Sequence, residues 1–428
     1  MSTASSTRWR ARCARWASRR SAEMAGRDVL VVGAGVFGAA VACELARHGW
    51  GPRVRVLERL QPAAGATARA AALVTAVRDD PGQIVLARQT LAAIATLQAE
   101  GEALGWHASG ALHVAPAAWR PLLEARAAIG AANGVGSRWL SHEAALALAP
   151  WLDPRAFEHA LFFPDDGWLD PHLLASAYLR VAVRHGVQVE TTEVRRLVVA
   201  DGAVRGVETA EGVVAADTVV LATGAWANLL SAPAGLPLPL APVRSQYWIS
   251  TPAPCFPRDG AIVLMPAIRA YARPELGGLL FGVREPRPAV VDARRLPPDL
   301  GGFAFEPEDA DGWQTLAAAA EDLGRHLPAL PTLGIAHAVS GPSAYTPDGQ
   351  LVVGAAPGLR GLFVAAGCNG SGIALSGGVG RLVGELVRGV APFVDPAPAA
   401  PGRLGDFDPH APDFLAACGA ARSRKTSG

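Results

Sequence analysis

The sequence predicts an α/β protein of two domains, and three observations support this prediction. A buried-strand pattern at Val29–Val32 leads into a glycine-rich turn and a helix, and the same order returns after Leu362. A proline-punctuated block over residues 237–331 lies between these stretches and has a different character. The chain has 428 residues, of which 50% are hydrophobic, so it is too long for one compact domain of common size.

The first stretch predicts a βαβ unit. Val29–Val32 is a continuous apolar run, which is typical of a parallel strand that is buried on both faces. A helix is predicted to follow and to end at Gly49. Alternating residues from Val54 onward predict a second strand, which ends at Glu58 and completes the unit.

The remaining elements are predicted from capping residues, apolar spacing and turn chemistry. Helices are predicted over residues 84–94, over 171–186 behind the N-cap Asp170, over 313–327 and up to Gly389. Strands are predicted at 219–222 and 362–365 and around the turns Asp201-Gly202 and Glu211-Gly212.

This alternation predicts one discontinuous domain, with a second domain built from the insertions. The nucleotide-binding domain is assigned to residues 27–102, 164–235 and 336–395, and the substrate domain to residues 103–163 and 236–335. Residues 1–26 are rich in arginine and are expected to be a disordered extension rather than a transit peptide. The Pro/Ala-rich residues 396–428 are expected to be a flexible tail.

Composition narrows the possible partners. The net charge is +1 with both signs interspersed, which argues against nucleic acid and membrane surfaces, and no apolar run is long enough for a membrane span. The five cysteines are scattered, which favours a reducing cytoplasm. The ten histidines show no ligand spacing, so no metal is predicted. A small neutral or zwitterionic substrate fits this composition.

The turn after the first strand carries a dinucleotide-binding motif, Gly33-Ala34-Gly35-Val36-Phe37-Gly38. Gly33 permits a tight turn, Gly35 lets the backbone approach a pyrophosphate, and Gly38 allows close helix packing. Glu58 ends the second strand, where its carboxylate can accept hydrogen bonds from ribose hydroxyls. The motif in this context predicts a bound dinucleotide, but it does not separate FAD from NAD.

Three further glycine-containing segments follow predicted strands. They are Gly65-Ala66-Thr67-Ala68-Arg69, Ala222-Thr223-Gly224-Ala225-Trp226 and Gly367-Cys368-Asn369-Gly370-Ser371-Gly372-Ile373. The hydroxyl of Thr67 is expected to lie near a phosphate of the dinucleotide. The third segment starts a helix, so its amides and the helix dipole would face a second electron-rich part of the ligand.

Together these segments resemble the glycine/D-amino-acid oxidase family of FAD enzymes, from about Asp28 to Pro396. The resemblance also includes PDDGWLDP, VVLATGAW, AYARPELGGLLFG, SGPSAYTPDG and GLFVAAGCNGSGIALSGGVGRLVGEL. It implies an FAD-binding Rossmann-like domain of the glutathione-reductase type with an inserted antiparallel-sheet α+β substrate domain.

The resemblance also implies which residues hold the FAD. Residues 370–373 would face the flavin N1 and C2 carbonyl, and the Val194 backbone would contact adenine. Arg69 stands where the related dehydrogenases carry a flavin-linking histidine, and Gly341 stands where monomeric sarcosine oxidases carry a flavin-linking cysteine, so the FAD is expected to be non-covalent. The full set is Gly33, Gly35, Val36, Phe37, Gly38, Glu58, Arg59, Thr67, Arg69, Val194, Gly224, Trp226, Gly341, Gly370, Ser371, Gly372 and Ile373.

The segments SGPSAYTPDG and SGGVGRLVGEL are similar to the flavin domains of sarcosine and dimethylglycine dehydrogenases, which implies an N-methyl amino acid as substrate. Tyr271 occupies a family active-site position, and Arg273 alternates with it on one strand face, so both are predicted to line the substrate pocket. Ser343 replaces the usual carboxylate-binding arginine. A substrate carboxylate would then be held by Arg273, by another arginine such as Arg78, or not at all.

The expected reaction is hydride transfer from an amine carbon to flavin N5, which releases an imine that water hydrolyses. A primary D-amino acid is the second choice of substrate. The alternatives are a flavin subunit of a multi-subunit complex and an NAD-linked dehydrogenase. The electron acceptor is open between oxygen, a quinone and an electron-transfer protein. The only lysine, Lys425, falls in the expected flexible tail, which favours a dehydrogenase because no fixed cation would then promote reaction with oxygen.

Overall fold

The computed structural model describes residues 28–426. Its strands are β1 (Val29–Val32), β2 (Val54–Glu58), β3 (Leu73–Val74), β4 (Ala111–Ala115), β5 (Arg138–Leu140), β6 (His159–Phe163), β7 (Gly167–Trp168), β8 (Gln188–Thr191), β9 (Arg196–Ala200), β10 (Ala203–Thr209), β11 (Gly212–Ala215), β12 (Thr218–Leu221), β13 (Ala241–Ser250), β14 (Ile262–Met265), β15 (Ala270–Glu275), β16 (Gly278–Val283), β17 (Ile335–Tyr345), β18 (Val352–Ala355) and β19 (Leu362–Ala366). Its α-helices are α1 (Val36–Leu45), α2 (Pro81–Ala99), α3 (Arg120–Ala132), α4 (His142–Leu148), α5 (Pro171–Arg184), α6 (Ala227–Ser231), α7 (Trp313–His326), α8 (Gly372–Arg388) and α9 (Pro412–Arg424).

A six-stranded sheet in the order β18-β19-β12-β1-β2-β8 carries the predicted βαβ unit. Its pairs are parallel except β18 with β19. The central strand β1 is fully buried because helices α1, α5 and α8 cover one of its faces, at Val29 and Val31, while strands β9 and β10 contribute to the cluster that covers Leu30 and Val32 on the other. The strands predicted at Val29–Val32, from Val54 and from Leu362 are confirmed, as is the α5 N-cap Asp170, whose carboxylate accepts from two backbone amides.

An eight-stranded sheet in the order β17-β13-β16-β15-β14-β4-β6-β5 forms the second layer. Its pairs are antiparallel except β14 with β4, so the predicted inserted antiparallel sheet is present. Trp248 and Phe281 lie stacked in its core with ring centroids 5.8 Å apart.

The structure corrects the predicted start of the third nucleotide-domain segment at residue 336. Strand β17 pairs with β13 along Ala241–Ser250 and is therefore part of the eight-stranded sheet. The reason is that residue 335 follows directly from the inserted block, so β17 can reach and pair with strand β13 of the sheet that this block forms. The stretch after the turn Glu211-Gly212 forms two strands. Strand β11 completes a separate three-stranded sheet with β9 and β10, and β12 enters the six-stranded sheet.

The flexible tail predicted for residues 396–428 is wrong for the part that the structure describes. Helix α9 packs on β13 and β17, and Cys418 is fully buried against Val243 and Tyr345. Composition alone indicated disorder, but the apolar edge of the sheet provides a surface on which this short helix is stable. Residues 1–26, predicted to be disordered, lie outside the described residues. Between residues 28 and 426, no helix is both long enough and apolar enough to cross a membrane.

Candidate active site

One elongated cavity of about 500 Å³ lies between the two sheets. It brings together every predicted cofactor residue except Gly38, together with Tyr271. Its walls come from the carboxyl ends of β1, β2, β12 and β19, which meet at one edge of the six-stranded sheet, and from β13, β15 and β17 of the other sheet. A cavity at this edge is the expected binding position in an open parallel α/β sheet.

The glycines of the first turn have the predicted roles in backbone geometry. Gly33 has φ +99°, and a Cβ there would lie 2.7 Å from Ala222 O. A Cβ on Gly38 would overlap the carbonyl oxygen of Gly33, so Gly38 lies beneath the turn rather than in the cavity. A Cβ on Gly35 would meet only Thr67 Oγ1, at 3.4 Å, so the backbone at Gly35 is open to a ligand.

Two side chains from outside the Gly33–Gly38 turn accept hydrogen bonds from its backbone amides. Glu58 Oε2 accepts a hydrogen bond from Ala34 N at 2.8 Å, which holds the carboxylate at the rim of the turn. Thr67 Oγ1 accepts from Val36 N at 3.0 Å and caps helix α1, whose own N-cap residue Gly35 has no side chain. The sequence predicted a phosphate contact for Thr67, and the structure adds this capping role, which leaves the Thr67 hydroxyl proton free to point toward a ligand.

At one end of the cavity, an aromatic and a cationic side chain form the wall. The Arg59 guanidinium stacks over the ring of Trp226 with its Cζ 4.2 Å from the ring centroid. Trp226 Nε1 donates to Pro297 O at 3.1 Å, which fixes the plane of the indole. Val194 and Gly224 also line this end. The flat surface that results is suited to a planar heterocycle.

The two positions at which related flavins are covalently attached face each other. A Cβ on Gly341 would lie 2.9 Å from Arg69 Cβ and 3.0 Å from Arg69 Cδ. Arg69 Nη1 donates to Ala64 O at 2.6 Å, so its side chain is held in this position. Neither residue offers a nucleophile for a bond to the flavin.

Hydrogen bonds of the Asn369 side chain hold the glycine-rich turn before α8 in place. Asn369 has φ +48°, and its Oδ1 accepts from Thr346 N at 2.9 Å while its Nδ2 donates to Gly367 O at 2.8 Å. A side chain on Gly370 would overlap the Tyr345 hydroxyl, so Gly370 must remain a glycine. Ser371 begins helix α8, whose positive dipole end therefore faces the cavity.

The structure places Tyr271 in the cavity and Arg273 outside its lining. Tyr271 is partly buried, and the loss of hydration raises the pKa of its phenol, while the Arg284 Cζ lies 5.7 Å from its ring centroid. Arg273 stacks on Trp168 at 4.3 Å, donates to Ala71 O at 3.1 Å and pairs with Glu275. Arg273 alternates with Tyr271 on β15 but is not among the residues that line the cavity.

The alternative carboxylate ligand considered from the sequence, Arg78, is also placed outside the cavity. It is buried with its Nη1 donating to Thr75 Oγ1 and Val77 O. The cationic side chains that do line this end of the cavity are Arg284, Arg422 and Lys425. Arg284 follows strand β16, two residues after the AYARPELGGLLFG segment ends at Gly282, but no sequence signal separated it from other arginines.

Lys425 corrects the expectation that no lysine reaches the cavity. Its Nζ donates to Ser371 Oγ at 2.6 Å and to Asn369 O at 3.0 Å, directly at the turn before α8. Burial lowers the pKa of this ammonium well below its usual value. The preference for a dehydrogenase depended on Lys425 being in a flexible tail, so that preference loses its basis.

Residues 28–386 match the model of a protein family described as FAD dependent oxidoreductase (DAO). The chain belongs to this family. Among its relatives, 4-methylaminobutanoate oxidase (formaldehyde-forming) of Paenarthrobacter nicotinovorans is 32% identical over 376 residues, which is 86% of this chain and 44% of the relative. Glycine oxidase of Geobacillus kaustophilus is 30% identical over 402 residues, or 87% of this chain and 95% of the relative.

Mouse sarcosine dehydrogenase is 30% identical over 83% of this chain and 39% of its own length. The chain thus spans less than half of two of these three relatives. Among solved structures, glycine oxidase from Geobacillus kaustophilus superposes with a TM-score of 0.71 at 28% identity, covering 88% of this chain and 98% of that chain. L-proline dehydrogenase from P. horikoshii has a TM-score of 0.78 at 24% identity, covering 88% and 97%, and shows the same fold. The predicted family, fold class and FAD cofactor are therefore confirmed.

The cavity of this DAO-family chain fits FAD on its own features. Gly35 leaves the backbone open at the helix N-terminus, which suits a pyrophosphate, and the Arg59–Trp226 wall suits the adenine. Thr223 lines the same cavity, and its Oγ1 is buried without a hydrogen-bond partner within residues 28–426. Its hydroxyl is a group that a polar ligand would satisfy.

The non-covalent attachment of FAD remains a prediction, supported by Arg69 and Gly341. We expect acid precipitation of the purified protein to release the yellow chromophore into the supernatant, because no side chain at either position can form a bond to the flavin. The measurement is the visible absorbance of the supernatant and of the washed pellet. A washed pellet that keeps the flavin absorbance would contradict the prediction.

Proposed function

We propose that the chain oxidises the C–N bond of a small secondary amino acid, with N-methyl amino acids preferred, to an imine that water hydrolyses. FAD, when bound, accepts the two electrons of this oxidation. The observation that carries the proposal is the end of the cavity where Tyr271 and Arg284 face the turn that Asn369 holds. Two of the relatives, sarcosine dehydrogenase and 4-methylaminobutanoate oxidase, support the same class of substrate.

The protein residues contribute binding and orientation. Burial keeps the phenol of Tyr271 protonated, so it can donate a hydrogen bond to a carboxylate. Arg284, buried beside it, supplies positive charge at the same wall. Tyr271 packs against an apolar cluster that includes Trp168, Ile262 and Leu264, and this apolar surface lowers the local dielectric and so strengthens these electrostatic contacts. The turn at Ser371 faces the same space and offers backbone amides and the α8 dipole to the flavin ring.

The substrate preference is tested by anaerobic mixing of the FAD-loaded protein with a panel of amines. We expect sarcosine and other N-methyl amino acids to bleach the visible flavin band faster than the corresponding primary D-amino acids. Matched pairs that differ only in the N-methyl group serve as controls for chain length and charge. Faster bleaching by the primary D-amino acid of each pair would replace the proposal with D-amino-acid oxidation.

A flavin subunit that needs a partner chain is the second candidate, and size-exclusion chromatography of the native protein tests it, because a stoichiometric partner would co-elute. The proposal includes the cytoplasm as the compartment, supported by four cysteines that are free between residues 28 and 426. The electron acceptor, which is oxygen, a quinone or an electron-transfer protein, is tested by reoxidation of the bleached enzyme with each in turn.

A further inference from the structure

The C-terminal segment, defined as residues 412–426, forms one wall of the cavity. Arg422 is 3% exposed, its Nε donates to Arg244 O, and its Nη2 lies 3.0 Å from Glu285 Oε2. The remaining nitrogen, Arg422 Nη1, is buried without a hydrogen-bond partner in residues 28–426. Lys425 follows one turn later and reaches Ser371, so two of the three cations of the segment, Arg422 and Lys425, line the same end of the cavity.

Two further buried cations lie directly behind this wall. Arg126 Nη2 donates to Thr426 Oγ1 at 3.0 Å, and Arg126 Nη1 lies 3.1 Å from His113 Nδ1. Arg78 Nε and Nη2 and Arg126 Nε have no hydrogen-bond partner within residues 28–426. Arg78, Arg284 and Arg422 are all close enough to Lys425 to act on its charge. The back of the cavity is therefore a buried region of positive charge.

Negative charge in this region is insufficient to balance it. The carboxylates near these cations are Asp166 and Glu285, which are 1% and 7% exposed, and Asp79, which is exposed to solvent. Glu285 is shared between Arg244 and Arg422. Burying cations without counter-charges is costly, because the protein interior does not replace their hydration. A region of this kind is complementary to an anionic ligand with more than one negative charge.

We propose that the C-terminal segment, through Arg422 and Lys425 and together with Arg284, binds the carboxylates of the amine substrate, and that this substrate carries more than one carboxylate. The inference deepens the proposed amine oxidation and rests on it. Tyr271 and Tyr345 line the same end of the cavity, and burial raises the pKa of both phenols, so they stay neutral and do not repel an anion. An anionic ligand would also favour the charged form of Lys425.

The experiment is a calorimetric titration of the FAD-loaded protein with three non-substrates that differ in charge but hardly in shape: succinate, its monoamide succinamate and its diamide succinamide. We expect affinity to fall at each loss of a carboxylate by about ten- to a hundred-fold, the usual effect of a charge-assisted hydrogen bond in a closed site. No turnover is involved, so the result does not depend on the oxidation step. Equal affinity for the three compounds would refute the inference.

The variants Lys425→Met and Arg422→Met test whether the C-terminal segment supplies the charge. Each should reduce the preference for succinate over succinamide by about ten-fold or more, and Lys425→Arg should retain most of it. Arg424→Met is the matched control, because Arg424 is exposed on the same helix as Arg422 and, among residues 28–426, donates a hydrogen bond only to Pro347 O. Thermal melting shows whether each variant is folded.

Two outcomes separate this inference from the function on which it rests. If Lys425→Met weakens succinate and succinamide equally, Lys425 acts on the turn or on the flavin and not on a carboxylate, and the inference fails while amine oxidation stands. If the charge preference is present but no amine bleaches the flavin, the proposed oxidation fails and the anion-binding wall remains.

Discussion

Replacing Gly38 with alanine is expected to destabilise the protein by about 3 kcal/mol, the upper end of the usual range for overpacking, and to abolish FAD binding. The added Cβ would overlap the Gly33 carbonyl, and this oxygen belongs to a backbone turn that cannot move without displacing β1 from α1. The measurements are denaturant unfolding of the apoprotein and FAD titration by fluorescence quenching. Unchanged values for both would show that the turn can relax.

Two other glycines make this experiment specific. Gly136→Ala is the control for loss of a glycine, since a Cβ there would meet no atom within 4 Å. Gly35→Ala should leave unfolding nearly unchanged, because its Cβ meets only Thr67 Oγ1 at 3.4 Å, but it should weaken FAD binding because it occupies the space of the pyrophosphate. Equal stability losses at Gly35 and Gly38 would contradict the two different roles.

Asp166 is expected to make the protein less stable as the pH rises from about 4 to about 7. Burial raises the pKa of this carboxyl from 3.8 to about 7, so the folded state holds a proton that the unfolded chain has released. The stability that this proton provides is complete below pH 4 and is lost as the pH rises through 7. A shift of about three units corresponds to a loss on the order of 4 kcal/mol.

The variant Asp166→Asn isolates this effect. Its amide can still accept from Ala76 N, as Asp166 Oδ1 does at 2.8 Å, but it does not ionise. The free energy of unfolding, measured with denaturant at pH 5 and pH 8, should fall less with pH in this variant than in the natural protein. Asp165→Asn is the control, because Asp165 is exposed next to it. An identical pH dependence in Asp166→Asn and the natural protein would contradict the assignment.

The nucleotide end of the site could be predicted from the sequence because its geometry is local. The turn from Gly33 to Gly38 and the carboxylate of Glu58 belong to one βαβ unit, in which strand, turn and helix specify one another. The same holds for the N-cap Asp170, whose partners are two and three residues away. In both places the residues of the sequence pattern and the contacts that it predicts lie within one helix or one βαβ unit.

The substrate end could not be predicted in the same way, because its residues meet only through tertiary packing. Alternation on β15 placed Tyr271 and Arg273 on one face but gave no information about depth, and Trp168 and Glu275 hold Arg273 behind the wall. The segment around Lys425 has a composition typical of a disordered tail. Its order depends on the surface that β13 and β17 present, which local sequence does not reveal.

The order of the six-stranded sheet also has a consequence for how the chain folds. Strand β1 is synthesised well before β12 and β19, yet Val29 pairs with Thr218, and β12 then pairs with β19 at Leu362. Contacts between residues so far apart in the chain give a high contact order, and proteins of high contact order fold slowly. The FAD-binding edge of this sheet therefore cannot form before β12 and β19 have been synthesised, and the apolar residues of β1 and β2 stay without these partner strands until then.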